Sequence, residues 1–195
     1  MDFSPRVLKS SLMSNQYNAF DTLVSGISEN KLLKKIAYVD ECSSYTFEDL
    51  QESVERVSFL LGDKGIVQND RMLIAMLDRF SLPITFLACI RSGVIPILSN
   101  TLLTQDDYQY MLEDSGAKGV FVSPELRPLF SDLKSQLSFD QLITEEEVNT
   151  AIRSERNEPA QIIWQRANDP CFWLYSSGST GRPKGTVHKQ SSMSE

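Results

Sequence analysis

With 195 residues, 41% hydrophobic and 23% charged, the chain is long enough to bury a core and too apolar for global disorder. Its net charge of −7 argues against nucleic acid or an anionic membrane as partner, and any polyphosphate site must be built from local donors. Three scattered cysteines (Cys42, Cys89, Cys171) and one histidine, His188, give neither a disulfide framework nor a zinc site, so no metal ligand is expected and a reducing, cytoplasmic setting is.

Residues 1–16 read as a polar lead-in; Met1–Arg6 lacks a charged-then-apolar leader. Tyr17–Ile27 carries Phe20, Leu23, Val24 and Ile27 at helical spacing. Ile36–Val39 predicts a short strand. Thr46 with Asp49 predicts a capped helix start, followed by Phe47, Leu50, Val54, Val57 and Leu61 on one face. Met72–Met76 is apolar throughout, the pattern of a strand covered on both faces. Leu82–Arg91 predicts a helix with Ser81 as N-cap and Gly93 as stop. It contains the longest apolar stretch, which is too short to span a bilayer.

Val94–Leu98 predicts a further strand, and Thr104 with Asp107 a second capped helix, closed by Gly116. Gly119–Val122 reads as a strand, and Ser123-Pro124 as the opening of a helix through Leu137. Residues 144–169 break the rhythm and read as a helical turn and a surface excursion, with turns at Asn157–Pro159 and Asn168–Pro170 and Glu145–Glu147 as a solvated face. The βα units at 36–62, 72–93, 94–116 and 119–137 predict one doubly wound, largely parallel α/β sheet with helices on both faces.

The chemically informative segment is Cys171–His188. An apolar strand, Phe172–Tyr175, enters a loop rich in glycine and hydroxyls, and an extended stretch, Thr186–His188, leaves it. Holding phosphate needs close backbone approach, converging donors and a cation. Gly178, Gly181 and Gly185 allow the first. Ser176, Ser177, Ser179 and Thr180 supply the second. Lys184 supplies the third, helped by Arg182. The loop is not a Walker A motif: Pro183 stands where glycine is required before the lysine, and Gly185 where Ser or Thr would hold magnesium. Core packing is the favoured reading of Trp173 and Tyr175, burial as small hydrophobes that of Cys89 and Cys171, and a structural role that of His188.

Ser176-Ser177-Gly178-Ser179-Thr180-Gly181-Arg182-Pro183-Lys184-Gly185 resembles the signature loop of the adenylate-forming superfamily: acyl-CoA synthetases, peptide-synthetase adenylation domains and luciferases. Upstream, Tyr45–Leu50, Asn69–Ile74 and Ala88–Pro96 resemble that family's segments in order and spacing. Asn100–Thr104, Asp107-Tyr108, Tyr110–Ser115 and Gly185–His188 are most similar to the benzoate-CoA ligase branch.

The resemblance implies a two-step acid–thiol ligase. A carboxylate, aromatic on the branch resemblance, attacks the α-phosphorus of Mg·ATP; coenzyme A then displaces AMP. It also implies that Ser176, Ser177, Gly178, Ser179, Thr180, Gly181 and Lys184 hold the ATP phosphates. The family's adenine segment with its magnesium-binding Glu, its ribose-binding Asp and its small C-terminal domain have no counterpart here. The expectation is therefore a partial N-terminal AMP-binding domain over 17–195, the incomplete front of the family's large domain. It has no catalytic residue of its own and is expected to be inactive alone; homo-oligomerisation of a full-length parent stays open. A non-catalytic remnant or regulatory module keeping the loop, and an unrelated α/β nucleotide-binding domain, are the alternatives.

Overall fold

The computed structural model describes residues 16–41, 43–137, 139–155, 160–176 and 182–193. The lead-in before Gln16, Cys42 and the turn at Asn157–Pro159 lie outside the described residues. The first helix, α1 (Ala19–Glu29), starts two residues later than its apolar spacing suggests, because Asn18 caps it. The Asn18 side chain accepts from the Phe20 and Asp21 amides and donates toward the carbonyls of Ile90, Arg91 and Ile163.

Two strands follow, β1 (Ile36–Val39) and β2 (Ser44–Thr46), and among the described residues pair antiparallel only with each other. This corrects the expectation that residues 36–62 form a βα unit of the main sheet. Both outer residues of β1, Ile36 and Val39, are solvent-facing, so the strand lacks the two-sided apolar character that a central position demands. Helix α2 (Phe47–Asp63) begins at the expected Thr46/Asp49 capping box.

The main sheet has β3 (Arg71–Ala75), β4 (Ile95–Leu98), β5 (Gly119–Val122), β6 (Gln141–Thr144), β7 (Pro170–Ser176) and β8 (Lys184–Lys189). Their order is β6-β5-β3-β4-β7-β8. All neighbours are parallel except β7 and β8. The connecting helices are α3 (Ser81–Arg91), α4 (Gln105–Ser115), α5 (Arg127–Gln136) and α6 (Glu145–Ile152).

Strand alternation sorts the side chains onto two faces. Met72, Ile74, Phe121 and Ile143 join a core with α1, α2, α3 and α6. Leu73, Ala75, Val120 and Val122 join a second with Tyr108, Met111, Phe130 and Leu133 of α4 and α5. The doubly wound reading thus stands, with helices on both faces. Gly116 closes α4 with φ of +58°, where its amide reaches the Leu112 carbonyl.

Three further expectations change between Ser81 and Ile152. The helical turn expected within 144–169 is a full helix, Glu145–Ile152, started by a third capping box of Thr144 and Glu147, and an edge strand that the sequence did not suggest, Gln141–Thr144, precedes it. Ser81 does not cap α3, since the cap position belongs to Phe80 and carries no side-chain bond. The Ser81 hydroxyl instead donates to Glu145 Oε1 at 2.7 Å. Helix α5 begins at Arg127, after a turn closed by Leu126 N–H to the Ser123 carbonyl.

Glu145 is the larger surprise. It is only 3% exposed, not part of a solvated face. Ser123 Oγ donates to its Oε2 at 2.6 Å and Arg79 Nη1 at 2.8 Å, while Ser123 itself accepts from the Leu77 amide. A buried carboxylate needs such a full set of donors. Of its two neighbours in sequence, Glu146 is exposed and Glu147 half-buried.

Candidate functional site

β7 and β8 form the hairpin that carries the phosphate-loop motif. Their register pairs Phe172 with His188, Trp173 with Val187, Leu174 with Thr186, Tyr175 with Gly185 and Ser176 with Lys184. The first and last of the candidate residues are therefore cross-strand partners at the end of the hairpin, both exposed. Ser177, Gly178, Ser179, Thr180 and Gly181 lie outside the described residues. Because β7 runs parallel to β4, Ser176 stands at the carboxyl end of the sheet, the end where open α/β sheets bind ligands.

The hairpin is held from both sides: Cys171 and Phe172 pack against the core of α1, α2, α3 and α6, with Phe172 edge-on to Phe86 of α3. Trp173 and Tyr175, two residues apart, point to the same face and pack against the core built on α4 and α5. The Tyr175 hydroxyl donates to Asp114 Oδ2 at 2.7 Å. Burial, then the Asp114 bond and charge, push its pKa well up, so it remains a neutral donor. A Cβ at Gly185 would stand 3.1 Å from Tyr175 Cζ and 3.3 Å from Trp173 Cε3, so β8 lies down on these two rings. Gly185 thus has a packing reason, beyond the loop flexibility that the sequence suggests.

The α4 residues Tyr110 and Asp114 escaped the sequence reading as functional supports. Arg182 lies over the Tyr110 ring, its Cζ 5.1 Å from the centroid. Their spacing, which puts them one turn apart on one helix face, and the branch resemblance of Tyr110–Ser115 were the signals that could have pointed to them.

The other singled-out residues have structural roles. His188 stacks on Phe172, with ring centroids 4.5 Å apart and planes 7° apart. Cys89 and Cys171 are buried free thiols. Burial raises both pKa values, that of Cys171 to about 12, so neither is a ready nucleophile. Among the described residues no cluster of three or more His, Cys, Asp or Glu side chains gathers around a point a metal could occupy. No helix among them is long and apolar enough to cross a membrane. A groove between α2 and α6, lined by Arg56, Lys64, Glu147 and Thr150, shares no residue with the hairpin.

Comparison with known proteins gives a consistent result. The sequence profile of the family described as AMP-binding enzyme matches residues 28–195. A benzoate–CoA ligase of Thauera aromatica is 42% identical over 91% of this chain and 35% of its own length. A 4-hydroxybenzoate–CoA/benzoate–CoA ligase of Rhodopseudomonas palustris is 36% identical over 81% of this chain and 31% of its own. The crystal structure of a benzoate CoA ligase from Burkholderia xenovorans superimposes with a TM-score of 0.78 at 32% identity, over 90% of this chain and 35% of that one. The chain spans about a third of the length of these relatives. With the profile covering the sheet, both helical layers and the hairpin, the chain belongs to the AMP-binding enzyme family.

Proposed function

We propose that this chain supplies the ATP-phosphate-binding part of an ATP-dependent acid–thiol ligase, as a partial N-terminal AMP-binding domain over residues 17–195. The observation that carries the reading is the pairing of Ser176 with Lys184. That register brings the two flanks of the hydroxyl- and glycine-rich segment, Ser176 and Lys184, together at the carboxyl end of the sheet. Ser176, Ser177, Ser179 and Thr180 would donate to the phosphate oxygens, Gly178 and Gly181 would admit the backbone, and Lys184 would offset the charge.

In the reaction so proposed, a carboxylate oxygen attacks the α-phosphorus of ATP. The bond to the bridging oxygen of the β-phosphate breaks, pyrophosphate leaves and an acyl-adenylate forms. The thiol of coenzyme A then attacks the acyl carbon and AMP departs. Charge grows on the leaving pyrophosphate in the first step, so donors fixed on those phosphates lower the barrier. Magnesium would travel with ATP and neutralise the same charge. The benzoate-type relatives favour an aromatic carboxylic acid as substrate, and the buried free thiols suit a reducing cytoplasm.

The test is a titration of the 195-residue chain with Mg·ATP, alongside its Lys184→Ala variant. Loss of a charge-assisted hydrogen bond predicts an affinity lower by about 10- to 100-fold in the variant. Equal affinities would overturn the reading. With ATP, benzoate and coenzyme A the chain alone is expected to release no pyrophosphate above background. Turnover there would refute the assignment of catalysis to residues outside it.

A further inference from the structure

The two strands of the hairpin are secured unequally. β7 sits between β4 and β8, and Tyr175 beside its last residue is bonded to Asp114. β8 has one neighbouring strand among the described residues, and Lys184 at its start is exposed. Sheet pairing and the seat of Gly185 on the Trp173 and Tyr175 rings hold β8 from Gly185 onward, and leave the residues before it free to fray.

Arg182 offers the missing hold. Its guanidinium, 5.1 Å from the Tyr110 ring centroid, is within the range of cation–π attraction. Tyr110 stands one turn before Asp114 on α4, with its hydroxyl 3.5 Å from Asp114 Oδ1, a long contact. The other oxygen of that carboxylate takes the Tyr175 hydroxyl. One patch of α4, aromatic with an acid behind it, therefore meets β7 through Tyr175 and the residues leading into β8 through Arg182. Only Pro183 separates Arg182 from Lys184. Its ring fixes φ and biases Arg182 to an extended conformation, so an anchor at 182 is passed to 184 with little slack.

We propose that Arg182 is a positioning residue which, by stacking on Tyr110, fastens the start of β8 to α4 and so sets the place of Lys184. The role of Lys184 rests on the function proposed above; the anchor itself does not. Arg182 on this reading acts through Lys184 and is not itself a phosphate ligand, as the sequence alone suggested.

The experiment has two arms on the full chain. Amide hydrogen exchange at Lys184–Val187 is measured without ligand, and Mg·ATP affinity is measured with the thermal midpoint as a folding control. Arg182→Ala and Tyr110→Leu, which keeps apolar bulk but removes the ring, are each expected to speed exchange and weaken ATP binding by about 2- to 5-fold, the span of an exposed cation–π contact. The double variant should be no worse than either single one, and Tyr110→Phe should behave as wild type. If Arg182→Ala weakens ATP binding while Tyr110→Leu changes neither measurement, Arg182 touches phosphate directly and the proposal fails. It fails equally if Tyr110→Phe is as damaging as Tyr110→Leu, or if no variant alters exchange. Should wild type bind no ATP at all, the phosphate reading falls, and the exchange arm still decides whether the anchor exists.

Discussion

β3 and β8 belong to one sheet and live under different rules. β3 lies between β4 and β5, and Met72, Leu73, Ile74 and Ala75 are wholly buried between two helical layers. β8 lies outside β7, and its residues Lys184–Val187 are all exposed. The interior strand is selected for shape and apolarity, since its whole surface leaves water. The outer strand keeps Lys184, Gly185 and the hydroxyl of Thr186 at the water boundary, where a polyphosphate could be met. Stability and the proposed chemistry are thus separated by strand position within one sheet.

The comparison breaks if the central strands prove dispensable. Phe121 on β5, fully buried against the α1–α3 layer, is the strongest test. Phe121→Ala should lower unfolding free energy by about 3–5 kcal/mol in a denaturant titration; a loss under about 1 kcal/mol would place the core elsewhere. Glu145→Gln comes next. It keeps the shape but removes the charge that faces Arg79 and makes one of the two oxygens an N–H donor, so that Ser81 must turn from donor to acceptor to keep its bond. The expected loss is about 1–3 kcal/mol, read the same way.

A smaller effect concerns acid. Burial raises the Glu147 pKa, but the Lys64 and Thr144 hydrogen bonds and the Lys64 charge outweigh it and hold the carboxyl below its ordinary range. A depressed carboxylate stabilises the fold above the ordinary glutamate range, and the contribution is lost as pH falls through the lowered folded value. Glu147→Gln should therefore be less stable than wild type at neutral pH, with the gap closing under acid in paired thermal melts; a gap that widens instead would contradict the assigned direction. The smallest effect belongs to β8: Val187→Ala, at 48% exposure, should shift unfolding by no more than about 0.5 kcal/mol. A core-sized loss there would erase the contrast between the two strands.

Legibility followed range. The Thr46/Asp49 and Thr104/Asp107 boxes were readable because both partners lie within one turn. The Thr144/Glu147 box used the same chemistry but went unread behind a run of three glutamates. Glu145 could not be placed from its neighbours, because Arg79 and Ser81 reach it from 66 and 64 residues away. The candidate loop was legible as a pattern of glycine, hydroxyls and lysine. Its support was not, since Asp114 meets Tyr175 across 61 residues.

The sequence by itself determined the periodicities, the Thr46 and Thr104 caps, the phosphate-loop motif and the family resemblance. Each of these is written in residues close along the chain, where sterics and short hydrogen bonds act directly. Tertiary structure alone decided that β1 pairs with β2 outside the sheet, that β6 forms its far edge, that Glu145 is buried, and that α4 carries the hairpin. Those outcomes depend on which surfaces exclude water together, a condition set by the whole chain at once and by no single stretch of it.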